Sequence, residues 1–117
     1  MVLIVEDEAD LAQTCARVLR RDGHEVSTAR TRAAALEALA GRASCLVVCD
    51  VCLPDGDGLE VVRAAKRLCP PVAAIVMTAQ PSASGRQQAL ASGADAYLMK
   101  PFSAAAFAAL VDRTLGR

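Results

Sequence analysis

The chain has no tryptophan, a single tyrosine (Tyr97), two phenylalanines and a single histidine among its 117 residues. With aromatics at 3%, a core must come from Val, Leu, Ile, Ala and Met, and a hydrophobic fraction of 54% supplies enough of them for one compact domain. An excess of either charge is also missing. Thirteen basic residues meet thirteen acidic ones and no stretch is strongly basic, which argues against direct nucleic-acid binding and against a membrane-surface patch. No apolar run approaches the roughly 18 residues that a bilayer requires. The opening "MVLIVEDE" has neither a basic leader nor a small-residue cleavage site, so a signal peptide is excluded and a cytoplasmic location is expected. No repeat, low-complexity tract or linker interrupts the chain, which reads as one domain over residues 1–117. GxGxxG after the first apolar run and a GxxxxGKS/T loop are both missing, which removes the common nucleotide-binding motifs.

Five cysteines stand out: Cys15, Cys45, Cys49, Cys52 and Cys69. Their odd number and the missing leader argue against a disulfide framework. Cys49 and Cys52 form a CxxC, but it closes a strand-like run, whereas redox pairs open a helix, and no histidine lies near enough to complete a metal site. The cysteines are expected to be small packing residues.

What is present is an alternation of short apolar runs with segments of helical period. "VLIV", "HEVSTA", "SCLVVCD", "VAAIVMT" and "DAYLM" read as strands. Between and after them lie helical stretches near 8–22, 31–40, 58–68 and 82–92, and a last one capped by Ser103. Five βα units with near-continuous apolar strands imply a parallel sheet covered by helices on both faces, and the doubly wound order 2-1-3-4-5 leads the possible topologies.

In that architecture ligands sit beyond the carboxyl ends of the strands, at the switch point between strands 1 and 3. The first strand ends in Glu6, Asp7 and Glu8, the third in Asp50, the fourth in Thr78, and the fifth in Lys100 before Pro101. Glu8 and Asp10 are explained as charges at a helix start. Asp50, preceded by four apolar residues, is not. Three converging carboxylates need a cation, and all-oxygen ligation suits Mg²⁺, with Mn²⁺ as the substitute. A divalent metal with an Asp, a Lys and a Thr makes a phosphoryl site, in which the carboxylate attacks phosphorus while Lys and Thr engage the phosphoryl oxygens. A cis bond between Lys100 and Pro101 would aim the lysine inward.

This pattern resembles the receiver domain of two-component response regulators, a CheY-like, flavodoxin-like α/β fold with five strands and five helices. The resemblance runs from "LIVEDE" through "CDVCLPDGDGLEV" and "IVMTA" to "ADAYLMKPF". It implies Asp50 as phosphoacceptor and Asp7 as a direct Mg²⁺ ligand. Glu6 would take the second acidic position, and the backbone carbonyl of Cys52 would be a further ligand. Thr78 and Lys100 match the family's hydroxyl and lysine, and Tyr97 its aromatic switch position. The implied partners are a sensor histidine kinase or histidine phosphotransfer protein as donor. An output domain or protein would be met through the helix 4–strand 5–helix 5 face, with a homodimer on phosphorylation as one use of it. "ADAYLMKPF" lacks one acid common in the dimerising class. The domain would catalyse its own phosphorylation and, slowly, its own dephosphorylation.

Three alternatives are weaker. A haloacid-dehalogenase-type phosphatase needs a second acid two residues after the nucleophile, where Cys52 stands. A nucleotide domain lacks its loop, and a degenerate receiver would lack residues that are present. "DGDG" suggests a Ca²⁺ loop, but the later ligand positions of an EF-hand are missing. Gln80 and Cys52 flank the phosphoryl position and are candidates for tuning its lifetime. Finally, "SASGRQQALAS" offers only Leu90 as a large apolar anchor, so the fourth helix is the expected loosely held, switching element.

Overall fold

The computed structural model describes residues 1–116. Five parallel strands, β1 (Val2–Val5), β2 (Val26–Ala29), β3 (Leu46–Asp50), β4 (Ala73–Thr78) and β5 (Ala96–Met99), form one sheet in the order β2-β1-β3-β4-β5. The helices are α1 (Ala9–Arg21), α2 (Arg32–Gly41), α3 (Leu59–Leu68), α4 (Ala83–Ala91) and α5 (Ala104–Thr114). A two-residue antiparallel hairpin, Cys52–Leu53 against Gly56–Asp57, follows β3. The fold class and strand order expected from the sequence are those observed.

Period-2 alternation divides the strand side chains between two cores. Val2, Ile4, Val48, Ile75 and Met77 pack with Cys15 and Leu19 of α1 and with Phe107 and Val111 of α5. Leu3, Val5, Val47, Cys49, Ala74 and Val76 pack with Leu39 of α2 and Val61 and Val62 of α3 on the other face. Both faces are covered, so β1 and β3 are buried along their whole length, as the uninterrupted apolar runs require. Among the described residues no helix is long and apolar enough to cross a membrane.

Two expectations need correction. Only Cys15 and Cys49 are buried; Cys69 is intermediate, and Cys45 and Cys52 are exposed, because both lie just outside β3, where the sheet's cover ends. All five are free thiols. Leu90 does not anchor α4. It is 47% exposed, and the helix's one buried side chain is Ala89. The weak-packing argument is thereby strengthened, since α1 and α3 each bury five side chains. Amide exchange in the resting protein should be faster in α4 than in α1 or α3, and equal protection across these helices would contradict the packing argument.

Candidate functional site

Parallel pairing of β1 with β3 sets Val5 beside Cys49, so the residues that follow, Glu6 and Asp50, leave the sheet side by side. Oxygen atoms of Glu6, Asp7 and Asp50 come within 4.8 Å of one another. Glu6 and Asp50 are buried, at 1% and 7% exposure, while Asp7 faces solvent. Lys100 arrives from the end of β5, its own N–H bonded to the Thr78 carbonyl at 2.7 Å and its bond to Pro101 cis, as expected. Its ammonium donates to Glu6 Oε1 at 2.5 Å and to Asp50 Oδ2 at 2.7 Å. The remaining oxygens are used as well: Glu6 Oε2 accepts the N–H of Glu8 at 3.0 Å, and Asp50 Oδ1 accepts that of Cys52 at 3.1 Å. Each buried carboxylate is therefore held at both oxygens, which fixes its orientation.

Burial pushes the Glu6 carboxyl up to about 7; the bonds from Lys100 and the Glu8 N–H pull it down, and the neighbouring Asp7 and Asp50 add to the rise. Burial also works against the Lys100 ammonium, but its hydrogen bonds to Asp50 and Glu6 outweigh that and raise its pKa. Three carboxylates (−3) against one ammonium (+1) leave a formal charge of −2 in the cluster. A divalent cation would cancel that charge, and an all-oxygen donor set fits a hard ion. Glu6, Asp7 and Asp50 are the residues that could hold it.

Thr78 and Tyr97 stand one step back. Thr78 ends β4, next to Met77, the register partner of Asp50, and is buried. Its hydroxyl accepts the Gln80 N–H at 3.1 Å, with no hydrogen bond to the carboxylates among the described residues. Tyr97 pairs with Val76 and lies half-buried against the α2–α3 core. Cys52 places its backbone at the cluster and its thiol in solvent.

Several supporting residues were not visible in the sequence. Arg30 donates from Nε (3.3 Å) and Nη2 (3.1 Å) to the Asp7 carbonyl. Asp57 Oδ1 accepts the Leu59 N–H at 2.9 Å and so caps α3. Gly58 donates to the Val51 carbonyl at 2.7 Å and presses its Cα against the Asp50 peptide. The "DGDG" run was the available signal, but it read as a loop or a metal-binding turn rather than as a set of separate supports.

A family model described as the response regulator receiver domain matches residues 2–112. The chain belongs to this family. Among related sequences, the receiver domain is 37% identical over 116 residues to the transcriptional regulatory protein PrrA of Mycobacterium tuberculosis, covering 99% of this chain and 50% of that protein. It thus spans about half the length of the curated relatives it matches. A CheY-like receiver domain protein from Methanospirillum hungatei superposes with a TM-score of 0.92 at 30% identity, covering 97% of this chain and 91% of that one. A response regulator from Burkholderia pseudomallei, solved with a phosphorylated aspartic acid, a calcium ion and citrate, has a TM-score of 0.85 at 28% identity, covering 96% and 70%. The resemblance read from the four sequence blocks is therefore a family membership.

Proposed function

We propose that Asp50 accepts a phosphoryl group from a histidine kinase or histidine phosphotransfer protein in the presence of Mg²⁺, and that the domain thereby switches an output domain or protein. The observation that carries this reading is the Asp50 carboxylate: buried, locked by the Cys52 N–H and Lys100, and sharing a cluster with Glu6 and Asp7. A carboxylate held rigid at the rim of the sheet is a nucleophile whose orientation is fixed in advance. One Asp50 oxygen forms the bond to phosphorus as the donor's phosphorus–nitrogen bond breaks, and the leaving imidazole takes up a proton. Lys100, already bonded to Asp50, offsets the charge gathering on the phosphoryl oxygens.

Glu6, Asp7, Asp50 and the Cys52 carbonyl would hold the Mg²⁺, which supplies charge neutralisation at the phosphoryl oxygens. In this reading the Thr78 hydroxyl leaves the Gln80 N–H for a phosphoryl oxygen, and Tyr97 follows it inward. The change then spreads through α4 and β5, where packing is weakest, to the α4–β5–α5 face as the output or dimer surface. The phosphorylated aspartic acid of the Burkholderia pseudomallei relative supports the choice of an aspartate as acceptor. The same pocket would catalyse slow loss of the group by water.

Incubation with acetyl phosphate and Mg²⁺ should add one phosphoryl mass to the wild-type domain and none to Asp50→Asn. Incorporation that persists in Asp50→Asn would reject Asp50 as acceptor.

A further inference from the structure

The loop after Asp50 is fastened to a part of the molecule that the proposed chemistry does not use. Both oxygens of Asp55 are spent on the start of α2, accepting the N–H of Arg32 at 2.6 Å and that of Ala33 at 3.0 Å. The Arg32 side chain lies along Gly56, where a Cβ would come within 3.0 Å of Nε, and its guanidinium pairs with Glu60 in the first turn of α3. A second arginine two residues earlier, Arg30, grips the Asp7 carbonyl with two nitrogens. One short stretch at the start of α2 therefore holds both loops that flank the acid cluster: Glu6–Asp7 on one side, and the segment beginning at Cys52 on the other.

We propose that Arg30, Arg32 and Asp55 form a clamp that presets the spacing between the Asp7 carboxylate and the Cys52 carbonyl, and so tunes how tightly the domain binds its divalent cation. The three are positioning residues, since none of them reaches the cluster with a side chain of its own. The inference rests on the reading that Glu6, Asp7, Asp50 and the Cys52 carbonyl hold Mg²⁺. Its logic is that of the outer groups around any metal site: ligands held in place bind better than ligands that must be ordered on binding. The Cys52 carbonyl sits in the first arm of the hairpin after β3, tied to Asp50 by the Cys52 N–H and to Asp57 by strand pairing, and the Asp55 carboxylate fastens the turn of that hairpin to α2. Without that carboxylate the hairpin keeps its own pairing but loses its tie to α2, and more of its order must come from the ion.

The clamp is separable from plain helix stability because α2 carries an independent cap. The Thr31 hydroxyl accepts the Ala34 N–H at 3.0 Å, a bond within α2 itself. The test titrates Mg²⁺ calorimetrically into metal-free wild type, Asp55→Ala, Asp55→Asn and Thr31→Ala, each first checked for native far-UV circular dichroism. Asp55→Ala should weaken Mg²⁺ binding by about three- to tenfold, Asp55→Asn by less because an amide oxygen still accepts, and Thr31→Ala by less than about twofold. Metal-free Asp55→Ala should also exchange the amides of residues 52–57 faster than Thr31→Ala does. Equal weakening by Asp55→Ala and Thr31→Ala, or none by Asp55→Ala, overturns the clamp while leaving the Mg²⁺ site standing. A wild-type domain that takes up no Mg²⁺ overturns both.

Discussion

Gly58→Ala should cost the domain about 4 kcal/mol or more, a large fraction of the roughly 5–15 kcal/mol that keeps a protein of ordinary stability folded. The reason is distance. A Cβ at position 58 would lie 1.8 Å from the Asp50 carbonyl oxygen, 2.9 Å from its carbonyl carbon and 3.1 Å from Cys49 Sγ. None of these is the far end of a flexible side chain. The Asp50 carbonyl ends a strand paired on both sides, and Cys49 is buried in the core. Gly58 itself is pinned by its N–H bond to the Val51 carbonyl. Its φ of −62° is one that alanine adopts freely, so the penalty is steric overlap and not backbone strain. Gly41→Ala is the matching control. A Cβ there meets nothing within 4 Å, and this last residue of α2 should tolerate the change or gain up to about 1 kcal/mol. Urea unfolding followed by far-UV circular dichroism measures both, since the chain has no tryptophan to report. If Gly58→Ala unfolded at the wild-type midpoint, the close packing of residue 58 against Asp50 would be wrong.

That glycine marks the boundary of what the sequence reveals. Strand positions and the four polar strand ends follow from local pattern, because a fully buried parallel strand has to be an unbroken apolar run and its first polar residue has to be at the rim. Asp50 is conspicuous for that reason. The supports are different in kind. Asp55 acts on residues 32 and 33, and Arg30 on the carbonyl of residue 7, so their roles exist only once the chain has folded back on itself. The two errors are equally physical. Ala89 and Leu90 are neighbours, and neighbours point about 100° apart around a helix, so choosing the larger residue as the anchor misplaced the buried face. Cys45 and Cys52 flank a buried strand by one or two residues, and that short distance takes a side chain from core to solvent.

Lys100→Met should destabilise the metal-free domain by about 3 to 5 kcal/mol near pH 8 and by clearly less near pH 5. Lys100 is the only cation bonded to Glu6 and Asp50 among the described residues, and its side chain is 15% exposed. Methionine keeps much of the length but neither the charge nor the donors, so two buried carboxylates would face each other without an offset. The pH dependence follows from Glu6. Its pKa in the fold is raised, mainly by burial, from 4.5 to about 7. A carboxyl shifted upward stabilises the fold while it carries its proton, so that contribution is intact below 4.5 and is lost as the pH climbs through about 7. Near pH 5 Glu6 is largely neutral, and the missing ammonium leaves only Asp50 exposed to the loss. Near pH 8 Glu6 has lost its proton in the wild type, and a variant without Lys100 must either hold two uncompensated carboxylates or take up a proton, so the full cost appears. Thermal unfolding of wild type and variant in a chelator at the two pH values decides it. An equal cost at both would mean that Lys100 acts through Asp50 alone. Under the proposed reaction the same substitution should also slow phosphoryl acceptance by roughly a hundredfold or more, since it removes a donor from the position where charge develops.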